Sequence, residues 1–257
     1  MDRRPRRTGR GGGWLWIAAS LSACAPTAKQ LENAQIHYDL GVNAMELSHD
    51  AQSAVKEFQT ALKENPNDAE AEDGLGLALH LMLHRPEEAV PHYLHALEID
   101  PKFSEAANNL GNAYTDLGRY ADAARMYRRA LSDEMYRTPY IAEGNLGWVL
   151  YKSGEVEEGI RHLKTAIAEN RSYCQGYRSL GMIDAQEGKL GEAEEEFTAF
   201  RDHCPQVPEA RYRLGLVLLK EGRQDRAREE FSACAAAKAA RDTDLGAECA
   251  RLVKMME

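Results

Sequence analysis

The sequence predicts an all-α solenoid of six helical hairpins closed by a C-terminal capping helix, and two periodic features indicate it. A Leu-Gly dipeptide recurs at six regularly spaced positions, and the glycines of this series are 35, 35, 36, 34 and 34 residues apart. A large apolar residue follows each glycine after 16 or 17 residues. The pairs are Gly41 and Phe58, Gly76 and Tyr93, Gly111 and Tyr127, Gly147 and Leu163, Gly181 and Phe197, and Gly215 and Phe231.

Each feature has a physical role in a helical hairpin. A glycine allows two antiparallel helices to approach closely, and the large side chain fills the space between them. Pro66, Pro101 and Pro205 follow three of the units, and proline ends a helix because it lacks an N–H donor. One hairpin cannot bury its own apolar face, so the units must stack. The pattern resembles the tetratricopeptide repeat (TPR), whose period is 34 residues, and this resemblance implies a right-handed superhelix.

The period divides the chain into nine segments. Residues 1–23 are interpreted as a signal peptide, 24–33 as a lipidated N-terminus with a short linker, and 242–257 as the capping helix. The six repeats are assigned to residues 34–68, 69–103, 104–139, 140–173, 174–207 and 208–241.

The charge distribution argues against a nucleic-acid ligand. The formal net charge is −9. Residues 1–23 contribute +4, from five arginines against Asp2, so that −13 remains on the rest of the chain. Phosphate backbones are bound mainly through Lys and Arg. An acidic body therefore favours a protein partner, and a monomeric state is expected.

The N-terminal residues are typical of an export signal. A basic, glycine-rich stretch precedes a short apolar run at 14–21, and small residues follow it, as in secretory signal peptides. Eight residues rise only about 12 Å as a helix, whereas about 20 residues are needed to span a bilayer. Export is therefore expected, and a transmembrane anchor is not.

Leu21-Ser22-Ala23-Cys24 resembles the lipobox of bacterial lipoproteins. This resemblance implies cleavage before Cys24 and lipidation of Cys24 on its sulfur and its new amine. Ala25 lacks the carboxylate that retains lipoproteins at the inner membrane, so that the expected location is the periplasmic face of the outer membrane. The alternative is an ordinary signal peptide followed by a chance cysteine.

Four further cysteines lie in the C-terminal part of the chain. An oxidising periplasm favours disulfides, and four cysteines allow three pairings. Antiparallel helices bring together the start of one helix and the end of the next, which predicts Cys174–Cys204. Cys234 faces the following helix, which predicts Cys234–Cys249. Buried free thiols are the alternative.

No motif for catalysis is found in the sequence. His80 and His84 have the spacing of metal ligands on a helix, with His92 and His95 nearby, but the zinc-protease pattern is missing. Surface and loop histidines are the preferred interpretation. We therefore expect a non-enzyme without a cofactor or a bound metal.

The first helix of each TPR hairpin lines the concave face of the superhelix, which gives a candidate binding groove. The exposed positions of these helices are apolar at both ends of the chain and carry amides in the middle. Such a surface suits an amphipathic or extended segment of a partner protein, and each position has packing against the adjacent repeat as its alternative. The predicted groove residues are Tyr38, Val42, Met45, Leu77, Asn108, Asn112, Trp148, Tyr151, Met182 and Tyr212, with Trp148 the leading candidate.

The lipobox, the short linker and six TPRs that fill the mature chain together resemble the type IV pilus pilotins. The stretches Asn108–Tyr114 and Glu143–Trp148 are similar to the first helices of that family. The resemblance implies an outer-membrane lipoprotein that binds secretin subunits and promotes their insertion and multimerisation, and thereby pilus-dependent motility. A general periplasmic scaffold for outer-membrane protein or peptidoglycan assembly is the alternative, and an enzyme or metal protein is the third hypothesis.

Overall fold

The computed structural model describes residues 25–241 and 243–256, and in this part of the chain the regular structure is entirely helical. Its thirteen α-helices form six antiparallel hairpins and one terminal helix, as predicted. They are α1 (Ala28–Glu46), α2 (Ala51–Glu64), α3 (Ala69–Leu77), α4 (Pro86–Ile99), α5 (Ser104–Asp116), α6 (Tyr120–Leu131), α7 (Pro139–Lys152), α8 (Val156–Glu169), α9 (Cys174–Gln186), α10 (Leu190–His203), α11 (Pro208–Lys220), α12 (Gln224–Ala236) and α13 (Asp244–Met255).

The hairpins stack in chain order, and α13 packs on α12. Each second helix contacts the first helix of the next hairpin, and the first helices of hairpins 1 to 5 also touch in succession. The all-α solenoid expected from the sequence is therefore confirmed. None of the described helices is both long and apolar enough to cross a membrane.

In five hairpins an aromatic ring lies directly against the backbone of the repeat glycine. A Cβ atom added at any of these glycines would lie 2.5–2.7 Å from the nearest ring carbon, much closer than atoms in contact. The rings are at most 2 % exposed. Only glycine leaves room for the ring at this helix–helix distance, which explains the period of the sequence.

The fourth hairpin uses a different contact. Gly159 stands on α8 where the other repeats carry alanine, and a Cβ atom on Gly147 would lie 2.7 Å from the carbonyl oxygen of Gly159. Leu163 takes the place of the ring and is fully buried. Here the two backbones touch, and α7 and α8 are the most closely packed hairpin.

The buried core is divided near this hairpin. One cluster runs from Ala44 to Leu150 and a second from Tyr177 to Phe231. A small cluster of Leu163, Leu180 and Ile183 lies between them. The solenoid thus has two main cores joined through hairpin 4.

The chain begins its first helix earlier than the sequence assignment placed it. Residues 24–33 were expected to form a linker, but α1 begins at Ala28. Thr27 caps it by accepting from the Gln30 N–H, and the Gln30 side chain accepts from the Thr27 N–H at 3.0 Å. This capping box satisfies two backbone donors. Only residues 25–27 therefore separate Cys24 from a helix.

The first two repeats have one more residue between the glycine and the large apolar side chain than the other four, 17 instead of 16. This extra residue lies at the end of the first helix. In repeats 3–6 a glycine with φ between +69° and +93° ends that helix, a conformation that costs glycine little. His49 and His84 hold this place in repeats 1 and 2, with φ of 51° and 54°. In repeat 2, α3 also widens into a π-helical turn over Ala78–Met82.

The C-terminal part is cross-linked by two disulfides. They join Cys174 to Cys204, with Cα atoms 5.9 Å apart, and Cys234 to Cys249, with Cα atoms 6.1 Å apart. This is the pairing that the hairpin geometry predicts. Cys204, Cys234 and Cys249 are fully buried. The first disulfide ties together the two ends of hairpin 5, and the second holds α13 on α12.

A buried polar pair links hairpins 2 and 3. Asp73 is only 6 % exposed, and its two carboxylate oxygens accept from Nδ2 of Asn109 at 3.0 and 3.1 Å. Burial raises the pKa of the Asp73 carboxyl to about 6, the Asn109 hydrogen bond opposes this shift, and the charge of Glu105 adds to it. The ionised carboxylate therefore costs stability in the folded state.

Substitution of a repeat glycine tests the ring contact. In Gly181→Ala the new Cβ would lie 2.6 Å from Cε1 of Phe197, whose ring is 2 % exposed. Overpacking of this kind costs about 1–3 kcal/mol. Gly191→Ala is the matched control, because no atom lies within 4 Å of its Cβ. Gly191 is the second residue of α10, and the full propensity difference applies to helix interiors, so alanine there should be neutral or stabilise by up to about 1 kcal/mol. Urea unfolding of the oxidised protein measures both changes, and equal effects would contradict the packing argument.

Removal of the Asp73 charge should stabilise the protein at neutral pH only. An unfolded aspartate titrates at about 3.9, and the folded group at about 6. Between these two pH values the Asp73 carboxyl is protonated in the folded protein and ionised in the unfolded chain. The free energy of unfolding therefore falls as the pH rises through this range. Asp73→Asn stays neutral, so it should be more stable than wild type by roughly 1–3 kcal/mol at pH 7.5 and nearly equal at pH 4. Asp225→Asn, at a 97 % exposed side chain, is the charge-matched control. A stability difference that does not vary with pH would refute this account.

Candidate functional site

The residue that follows each repeat glycine forms a strip along the first helices. A residue one position after the glycine points about 100° away from it around the helix, and so lies beside the hairpin contact. All six are half-buried, and the first helices of hairpins 1 to 5 adjoin in succession. Met182 on α9 and Leu216 on α11 line one pocket, so that the strip is continuous. We call this strip the ladder; its members are Val42, Leu77, Asn112, Trp148, Met182 and Leu216.

The first pocket on the ladder lies at its amino-terminal end. It has a volume of about 210 Å³, and the predicted residues Tyr38, Val42, Met45 and Leu77 line it together with Phe58 and Phe103. The ring centroids of Tyr38 and Phe58 are 5.9 Å apart. The structure therefore brings four of the predicted groove residues together.

The same pocket has an acidic rim formed by Glu46, Glu70 and Asp73. Burial raises the pKa of the Tyr38 phenol, and the negative charges of Glu70 and Asp68 raise it further. Charge at this end of the ladder is therefore negative.

The two predicted groove amides, Asn108 and Asn112, form hydrogen bonds mostly within the protein. The prediction that Asn108 is an exposed groove residue is wrong, because Asn108 is only 6 % exposed. Its Oδ1 accepts from Nδ2 of Asn145 at 3.2 Å, so that it links hairpins 3 and 4. Oδ1 of Asn112 accepts from Asn145 at 3.0 Å and from the Tyr127 hydroxyl at 2.9 Å. Among the described residues none accepts from Nδ2 of Asn112, which leaves this group to donate to a bound carbonyl.

Trp148 and Tyr151 form an aromatic platform on α7. Their ring centroids are 5.8 Å apart with the planes inclined by 33°, and Nζ of Lys152 lies 5.7 Å from the Trp148 ring centroid. Both rings pack on the small core cluster between the two main cores. Packing fixes one side of the rings and leaves the other partly accessible.

A second pocket lies at the carboxy-terminal end of the ladder. It has a volume of about 230 Å³. Met182, Leu216, Ala185, Val217 and Phe197 provide its apolar lining, and Arg213 and Lys220 its basic groups. Tyr212 is not part of this lining; its ring lies 6.2 Å from that of Phe231. The two ends of the ladder thus have opposite charge.

Three of the four histidines considered as metal ligands, His80, His92 and His95, have other partners. Nδ1 of His92 and Nδ1 of His95 lie 2.7 and 2.8 Å from the two carboxylate oxygens of Glu72. His80 is buried, not a surface residue, and its Nε2 lies 2.8 Å from Asp116. Within the described ranges no group of three or more His, Cys, Asp or Glu is arranged to hold a metal ion.

Sequence reasoning missed part of the pocket lining. Phe103 precedes α5, two residues after Pro101, and the stacking of hairpin 3 on hairpin 2 brings it to the first pocket. The acidic rim was not recognised either, although two of its residues lie near predicted groove positions. Glu46 directly follows Met45, and Glu70 precedes Leu77 by seven residues. Cys24 lies outside the described residues.

Comparison with known proteins supports a protein-binding repeat fold. Profiles described as tetratricopeptide repeat match residues 38–102, 92–125 and 178–242. No curated protein matches the sequence.

Solved structures with the same architecture cover almost the whole chain. The crystal structure of PilW, described as a widely conserved type IV pilus biogenesis factor, is 22 % identical with a TM-score of 0.73, over 86 % of this chain and 97 % of PilW. PilF of Pseudomonas aeruginosa is 17 % identical with a TM-score of 0.69, over 87 % and 99 % of the two chains. YrrB, described as a TPR protein with an unusual peptide-binding site, is 26 % identical with a TM-score of 0.50, over 77 % of this chain and 100 % of YrrB.

These likenesses agree with the resemblance found in the sequence, and at such identities they show the fold. One of the repeat profiles matches just over half of the residues. The chain belongs to the tetratricopeptide repeat family.

Proposed function

We propose that this protein is a lipid-anchored pilotin of the outer membrane. In this role it binds secretin subunits through the ladder and promotes their insertion and multimerisation for type IV pilus assembly. The observation that carries the proposal is the continuous ladder, with a pocket at each end and an aromatic platform between them. Half-buried Trp and Tyr side chains are typical anchors of a docked partner segment, and Met is also enriched at protein interfaces.

One further observation favours a pilus partner over other envelope assemblies, and a second is compatible with it. The chain shares its architecture with PilW and PilF over nearly the full length of all three proteins, and PilW is described as a pilus biogenesis factor. The lipobox at 21–24 fits a protein that acts at the membrane where the secretin inserts.

The proposed anchor and the ladder are close in the chain. Residues 25–27 separate Cys24 from α1, and three residues span at most about 10 Å. A lipid on Cys24 would therefore hold the first hairpin, with its apolar pocket, at the membrane surface. Two or more acyl chains anchor a protein stably.

Secretin multimers in a deletion strain test the proposal. We expect the multimer band on an immunoblot to be lost on deletion, with monomers remaining, and to return with the wild-type gene. Cys24→Ala should restore few multimers, because the groove is no longer held at the membrane. Surface pili and pilus-dependent motility should follow the multimer band.

Persistence of multimers in both the deletion and the Cys24→Ala strains would overturn the pilotin proposal. A different envelope protein that co-purifies with the chain, together with intact secretin, would instead favour the general scaffold.

A further inference from the structure

The carboxy-terminal pocket differs from the rest of the ladder in combining an apolar cavity with basic groups. Met182 and Leu216 are ladder residues, and Phe197 and Val217 close the floor of the cavity. Its volume of about 230 Å³ equals that of roughly eight water molecules, which is enough for one large apolar side chain.

The basic groups of this pocket lie on one face of α11. Arg213 and Lys220 are seven residues apart, with Leu216 between them, so that all three lie along the same side of the helix. Lys220 is exposed and has no ion pair within the described part of the chain. Its ammonium group is thus available to a ligand.

Neutralisation of the neighbouring guanidinium groups is incomplete. Glu209 accepts from Nε of Arg213 at 2.6 Å and from Nε of Arg178 at 2.9 Å. One carboxylate therefore serves two cations, and Arg178, Arg213, Lys220 and Glu209 together sum to two positive charges. The amino-terminal pocket, with Glu46, Glu70 and Asp73, has the opposite sign.

We propose that the carboxy-terminal pocket binds a partner segment in which a large apolar side chain is followed, within about one helical turn, by aspartate or glutamate. The apolar side chain enters the cavity between Met182 and Leu216, and the carboxylate meets Lys220 and Arg213. The pocket at the other end of the ladder is acidic. A segment with positive charge at one end and negative charge at the other can therefore match both pockets in only one orientation. The inference extends the proposed function by naming the chemistry of the partner at this end.

Fluorescence polarisation with labelled, amidated model peptides tests this inference on the full chain purified in detergent. Each peptide carries two leucines in a Gly-Ser background, followed by three glutamates, three serines or three lysines. We expect the glutamate peptide to bind at least fivefold more tightly than the lysine peptide, with a preference that declines as salt increases. Amidation removes the chain-end carboxylate, so that only side-chain carboxylates are measured.

Charge reversal at the pocket should invert this preference. Lys220→Glu should weaken binding of the glutamate peptide at least fivefold and strengthen binding of the lysine peptide. Lys254→Glu makes the same charge change at an exposed position on α13 and should leave the preference unchanged. Equal binding of the three peptides, no binding of any, or a preference that survives Lys220→Glu would overturn the inference.

The outcome is separable from that of the proposed function. Secretin multimers that persist in the deletion strain would remove the pilotin role and leave the peptide preference measurable. Conversely, the deletion strain could lack secretin multimers while the purified protein shows no preference among the peptides. That result would refute only the proposed carboxylate-binding pocket and leave the pilotin role standing.

Discussion

The contact between a buried ring and the backbone of a glycine is the constraint on which the rest of the structure depends. It sets the distance between the two helices of a hairpin, because nothing larger than hydrogen fits between the ring and the glycine Cα. It also fixes the rotation of the first helix, since the glycine must face its partner helix. The next residue is then directed to the concave side, so that one contact determines both the core and the ladder.

Hairpin 4 shows what happens when this contact changes. With Gly159 and Leu163 in place of alanine and a ring, the backbones of α7 and α8 meet directly, and the main core is divided there. Trp148 and Tyr151 then cover the intermediate cluster from the groove side. The largest aromatic surface of the ladder thus lies where the two halves join. Among the described residues, disulfides cross-link only the carboxy-terminal half, which gives that end of the ladder the more constrained framework.

The fold could be predicted from the sequence because the ring–glycine contact repeats with the period of the chain, and the ladder could be predicted because it follows the same glycines. The disulfide pairing followed from antiparallel helix ends. Asn108 could not be assigned correctly, since its hydrogen-bond partner Asn145 lies 37 residues away on the next hairpin. The two pockets and their opposite charge required side chains from several helices, such as Phe103, to be placed together. The early start of α1 had a local signal, Thr27 and Gln30, that the repeat period obscured.

The central claim is that the concave ladder, and not the outer face of the solenoid, holds the partner. A photo-crosslinking phenylalanine derivative at Tyr151 on the aromatic platform, in cells that assemble the secretin, tests this claim most directly. The matched position is Arg161 on the second helix of the same hairpin, where the side chain is 67 % exposed. The account predicts a crosslink to a secretin subunit from position 151 and none from position 161. A secretin crosslink from position 161 alone, or a crosslink from position 151 only to some other protein, would contradict it.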